Sequence, residues 1–346
     1  MNEEEKNVYD LILNAVNSYK DSIDSPSANM SFDDACRIAK IVQHDHPEIF
    51  WFYHGASATL DSDGKASKLY FTYNMTFNQM KRRKEKLELA QKAFLNSITD
   101  DMSDYEVVLR VYENIIKLVD YDSVELEKVE KIEKAKGKGK AEKRYDLSSV
   151  YGALVNKKAV CAGYAKAAQY LLQLCGIECL YVTSDTHAWN MVKLEDKYYH
   201  LDVTWGDGSN TKKELNHSDE IGYDYFCVKT EEIIQVEAHV PEKEIALQVA
   251  DSVECNHHNR HGLYFEAYDE ARMNLIIKES IRHRLYRISI KCASDEVYKE
   301  CCSELIDKGG FSRMLAGVRT TVNCTWESTI SKNDKLKILT FRITRD

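Results

Sequence analysis

The chain has 346 residues, a net charge of -9 and 44% hydrophobic residues, with only 3 prolines and an unusual 21 tyrosines. That is room for two or three structural units around a sizeable core. No basic footprint spans it, which argues against a nucleic-acid partner. No run approaches the length of about 18 apolar residues that a membrane span needs.

The N-terminus, "MNEEEKNVYD", is acidic and lacks an apolar leader segment, so a cytoplasmic location is expected. The ten cysteines lack the dense, regular spacing of a disulfide scaffold. They read as reduced thiols, most of them small buried hydrophobes.

In chain order, a polar helix and a loop occupy about the first thirty residues. Ser31 can cap a helix over "FDDACRIAKIVQHD", with Asp33 and Asp34 in its first turn and Pro47 at its end. "IFWFYHGASATL" and "SKLYFTYNM" read as two strands joined by the turn "DSDGK". Helices are predicted over 76–98 and 103–119. Residues 126–144 have no apolar stripe, and Lys136 to Lys140 alternates lysine and glycine. They read as a solvated loop, with a basic gate attracting acidic substrates as the alternative.

The most ordered block spans 145 to about 230. In "KAVCAGYAKA", Cys161 opens a helix traced by Tyr164, Ala168, Leu171, Leu172 and Cys175, and Gly176 supplies the stop. The first turn of a helix stabilises a thiolate through its unpaired N–H groups and dipole. Gly163 and Ala162 leave space for a substrate backbone. Downstream, "HAWNMVKL" and "KYYHLDVTW" read as a hairpin turning at Glu195-Asp196. That register pairs Leu194 with Lys197, His187 with Thr204 and Trp189 with Asp202. His187 and Asp202 then share a face as diagonal neighbours, about 7–8 Å apart at Cα. A nucleophilic thiol, an imidazole to move its proton and a carboxylate to orient the imidazole form a thiol acyl-transfer set. The Cys161 N–H would be one oxyanion donor, and the second is unassigned.

"AVCAGYAKA", "HAWNMV" and "YYHLDVTW" resemble the core of the transglutaminase-like superfamily of papain-like fold, in its bacterial, microbial transglutaminase-core branch. The likeness covers about 147–207. It implies acyl transfer on amides (protease, deamidase or transglutaminase type), with Cys161, His187 and Asp202 in the catalytic positions. Two departures stand out: Ala162 where relatives often carry an acid, and "CNHHNR" where they tend to carry aromatics.

Other residues have plainer readings. Gly163, Tyr164, Trp189 and Trp205 are candidates for substrate binding, though aromatic hairpin residues also serve as core. His200 shares the face of Asp202 and is expected to be structural. Cys255, His257, His258 and His261 fit no standard zinc spacing, so neither metal nor cofactor is predicted.

The expected fold is α+β: an N-terminal α/β segment (1–100), a papain-like, transglutaminase-like core (101–260) and a C-terminal α/β segment (261–346). The last would run helix 266–281, strand 284–291, helix 294–307, strand 317–327, turn 331–335 and strand 336–344. The expected function is a cysteine hydrolase or acyltransferase acting on a peptide or protein substrate. The alternative is a non-catalytic interaction scaffold. Oligomeric state is not legible.

Overall fold

The computed structural model describes residues 1–24, 30–124, 127, 145–208, 221–242, 247–318 and 326–345. The segment 126–144, read above as loop or gate, lies outside the described residues except for Glu127. The chain folds as two compact units, Met1–Gly222 with Pro241–Leu247, and Tyr223–Val240 with Gln248–Asp346. The N-terminal segment and most of the predicted core therefore lie together in one unit.

The first unit begins with α1 (Glu3–Asn17), closed by a reciprocal cap between Asn2 and Glu5. A short strand β1 (Ser22–Asp24) follows. Helix α2 (Phe32–Asp45) starts where Ser31 accepts from the Asp34 N–H at 3.1 Å and stops just before Pro47, as its sequence predicts. β2 (Phe52–Leu60) and β3 (Ala66–Tyr73) form the expected antiparallel pair, and β1 adds to the far edge of β3.

Helices α3 (Phe77–Leu95) and α4 (Asp104–Leu118) each carry a capping box, Thr76 with Gln79 and Ser103 with Glu106. On α4, Val107, Val108, Val111, Tyr112 and Ile115 are buried, a spacing that keeps one face inward. Strand β4 (Asp120–Tyr121) then forms a two-residue parallel ladder with β5 (Lys158–Ala159). This ladder brings the end of α4 beside the entry to α5 (Cys161–Leu174).

β6 (Cys179–Thr183), β7 (Ala188–Leu194) and β8 (Lys197–Leu201) are consecutive antiparallel strands, and α5 packs on β6 and β7. The β7–β8 turn is the predicted Glu195-Asp196, both left-handed at φ 51° and 62°. Two successive positive φ values give the backbone twist that matches paired strands. Buried Asn190 ties helix to sheet, donating from Nδ2 to the carbonyls of Ala165 (3.0 Å) and Leu180 (3.3 Å).

The second unit contains β9 (Phe226–Val228), β10 (Tyr264–Phe265), β11 (Arg287–Cys292), β12 (Trp326–Asn333) and β13 (Ile338–Arg345). Four of these form a sheet in the order β10-β11-β13-β12. Met273, Ile277, Ile290, Phe311 and Phe341 are fully buried in its core, and the Phe311 and Phe341 rings stack at 4.0 Å. Buried Lys291 pairs with Glu232 at 2.9 Å.

Here the sequence reading needs correction. Of the strand expected over 317–327, residues 319–325 lie outside the described residues, and its end, from Trp326, is strand. A helix not assigned from the sequence, Gly310–Ala316, precedes this segment, with Phe311, Met314 and Leu315 turned inward at helical spacing. The predicted turn also begins too early, because β12 continues to Asn333. No helix among the described residues is long and apolar enough to cross a membrane.

Candidate active site

Cys161 sits in the first turn of α5, behind Val160, which has an extended backbone and makes no side-chain cap. It is partly exposed, whereas Cys179, Cys227, Cys255, Cys292 and Cys301 are buried. All nine cysteines among the described residues are free thiols.

Gly163 lets the helix approach its neighbours. A Cβ there would meet the Leu147 carbonyl oxygen at 2.5 Å and the Ala159 Cβ at 2.7 Å. Tyr164 is fully buried, its hydroxyl 2.7 Å from both the Val119 carbonyl and Asp207 Oδ2. Burial first, and then the Asp207 charge, keep that phenol protonated. Both residues therefore face protein: Gly163 seats α5, and Tyr164 anchors it to the end of α4.

His187 lies just before β7, in the tight β6–β7 connection. Its N–H donates to Ser184 Oγ at 3.0 Å, and its carbonyl accepts from the Ser184 N–H at 2.9 Å. The ring Nε2 lies 2.7 Å from Asp202 Oδ2. The Cys161 side chain is a second hydrogen-bonding partner of the ring.

The charge of this imidazole is set by opposing effects. Burial is the largest and favours the neutral ring. The charge of Asp202 and its hydrogen bond, followed by the hydrogen bond and charge of Cys161, together outweigh burial and raise the pKa to about 10.

Asp202 is fully buried, and both its oxygens are engaged. While Oδ2 meets His187, Oδ1 accepts from the Trp205 N–H at 3.0 Å and so caps the short helix α6 (Val203–Gly206). This explains one departure from the predicted hairpin. The ladder keeps the predicted register but ends at Asn190 opposite Leu201. The expected pairs Trp189–Asp202 and His187–Thr204 do not form, because Asp202 turns the chain into α6.

Two tryptophans flank the imidazole. Trp189 is buried and stacks nearly parallel to it, at 12° and 6.1 Å between centroids. Its indole N–H donates to Nδ1 of fully buried His200 at 3.0 Å, so His200 supports the stack. Trp205 lies tilted at 5.8 Å and is 40% exposed. Of the four residues singled out for substrate binding, Trp205 is thus the one with substantial open surface.

The histidine-rich stretch considered for a metal has protein partners. His258 Nε2 meets Ser289 Oγ at 3.1 Å, and Arg260 donates to Cys255 Sγ at 3.4 Å. The His257 ring stacks on Tyr223 at 3.8 Å.

Two supports went unread in the sequence. Ser184 has no motif around it. Tyr121, which the β4–β5 ladder sets opposite Ala159 beside Cys161, had a fainter signal, an aromatic three residues past the end of the apolar helix α4.

Residues 92–203 match the model of the transglutaminase-like superfamily. That span contains Cys161 and His187 and ends one residue after Asp202. Among solved structures, one described as "Crystal structure of a TGase" is similar at 17% identity and a TM-score of 0.30, over 42% of this chain. The similarity spans only 37% of that structure's chain. No curated protein matches.

Proposed function

Starting from a transglutaminase-like segment over residues 92–203, we propose that this chain is a cysteine-dependent acyl-transfer enzyme acting on peptide or protein amides. Cys161 is the nucleophile, His187 the general base and acid, and Asp202 the residue that orients the imidazole. In this reading, α5 against β6–β8 is the helix-on-sheet core of a papain-like arrangement. One observation carries the proposal: a buried imidazole bridges Asp202 at 2.7 Å and a partly exposed thiol at a helix start.

The chemistry follows from the geometry. His187 takes the thiol proton through Nδ1, and Asp202 supports the resulting imidazolium through Nε2. Sγ attacks the carbonyl carbon, and the leaving amine takes the proton back from Nδ1. Water or an amine then resolves the thioester by the same steps in reverse. Trp189, Tyr164 and Gly163 shape the site from behind, and Trp205 offers the surface that a substrate chain would meet.

The test is acyl-enzyme trapping. With p-nitrophenyl acetate, wild type should show a p-nitrophenol burst and a mass increase of one acetyl group on the Cys161 peptide. Cys161→Ala should lose both. A burst retained in Cys161→Ala would refute the nucleophile assignment. A folded wild type without any burst would favour the scaffold alternative.

A further inference from the structure

A tetrahedral intermediate places negative charge on the former carbonyl oxygen, and thiol acyl transfer stabilises it with preorganised donors. The Cys161 N–H supplies one. The structure puts a specific side chain on that group. In the β4–β5 ladder, Tyr121 aligns with Ala159, two residues before Cys161. The backbone locks this placement on both sides: Asp120 N–H donates to the Lys157 carbonyl at 2.9 Å, and Asp122 N–H donates to the Ala159 carbonyl at 3.0 Å. The Tyr121 ring packs 6.0 Å from Tyr164, which is itself anchored in the core. Its hydroxyl oxygen accepts the hydrogen bond from the Cys161 N–H.

We propose that Tyr121 is the second oxyanion donor, its hydroxyl resting on the Cys161 N–H until a substrate oxygen displaces it. This rests on Cys161 being the acyl-transfer nucleophile. When Sγ bonds to the acyl carbon, the C=O π pair moves onto oxygen. The Cys161 N–H then turns from the phenol oxygen to the new oxyanion, and the Tyr121 O–H donates to it from the other side. The pair returns, the bond to the leaving group breaks, and the leaving group takes its proton from His187. Tyr121 neither gains nor loses a proton.

The hydroxyl is suited to this task. Burial, and then the nearby Cys161 charge, push its pKa up to about 12 despite the Cys161 N–H that favours the phenolate. The phenol therefore keeps its proton at neutral pH. A residue that only filled space would need no hydroxyl there. A packing role also gives no reason for that hydroxyl to meet the N–H at the head of α5.

Tyr121→Phe keeps the ring and removes the donor. Two reactions at Cys161 separate the roles. Acylation by p-nitrophenyl acetate passes through an oxyanion. Alkylation by iodoacetamide displaces iodide from a saturated carbon and does not. The proposal expects acylation to fall about 100- to 1,000-fold, with alkylation of the Cys161 peptide unchanged. Acylation at the wild-type rate would overturn it. So would an equal loss in both reactions, because Tyr121 would then act on the thiol or the fold. Failure of the nucleophile assignment itself reads differently: wild type would show no acylation that Cys161→Ala abolishes.

Discussion

Asp202→Asn isolates the carboxylate's charge from its structural duty. The Asn carbonyl can still accept from the Trp205 N–H, as Asp202 Oδ1 does at 3.0 Å, so the cap on α6 is kept. What changes is the His187 side. The Asn amide donates to Nε2, so a neutral ring must carry its proton on Nδ1. The imidazole then has no lone pair for the thiol proton. By analogy with the same change in a serine triad, acyl transfer should fall about 10⁴-fold.

The energetics can be worked from the ring's pKa, raised from 6.5 to about 10. At 1.36 kcal/mol per unit this is about 5 kcal/mol of preference for the imidazolium in the fold. The sign follows from linkage. A raised histidine pKa contributes stability in full below pH 6.5 and loses it as pH rises toward about 10. Urea unfolding of wild type should therefore show a stability decrease across that window, and Asp202→Asn should flatten it. Imidazole NMR titration gives the direct readout. His187 should titrate near 10 in wild type and lower in Asp202→Asn. In the Cys161→Ala/Asp202→Asn double variant only burial is left, and the pKa should fall below 6.5. A value still near 10 in the double variant would refute this account of the imidazole.

Two further substitutions test the supports. Gly163→Ala would drive a methyl into the Leu147 carbonyl and the Ala159 Cβ, so it should cost about 1–3 kcal/mol by urea denaturation and slow Cys161 acylation. His200→Phe would leave the buried Trp189 indole N–H without its acceptor. It should cost about 1–3 kcal/mol and change tryptophan fluorescence, while the α2–β3 region keeps its hydrogen-exchange protection.

Much of the candidate site was legible because it is local. The α2 cap and stop, the α5 stripe and the two-residue turn at Glu195-Asp196 each sit within a few residues of their signals. The hairpin register then brought His187 and Asp202 to one face. What escaped was set by contacts distant in sequence or by competing side chains. The end of β8 depends on Asp202 capturing the Trp205 N–H, which no alternation pattern encodes. Tyr121 meets Cys161 through a two-residue parallel ladder, too short to leave a periodic trace. Tyr164 and Trp189 look like cleft aromatics in sequence, yet their polar atoms are held by Val119, Asp207 and His200 in the interior. In the second unit, the helix Gly310–Ala316 has only seven residues, about two turns, which leaves little periodicity to read in the sequence.

The central claim is that the Cys161 thiol is activated by His187. The most direct measurement is the rate of iodoacetamide alkylation against pH, resolved for each cysteine by peptide mass spectrometry, in wild type and in His187→Ala. The account predicts that Cys161 reacts well below pH 8, faster than the other nine cysteines, and that this advantage collapses in the variant. A Cys161 that reacts no faster than the others, or whose profile is the same without His187, would contradict it.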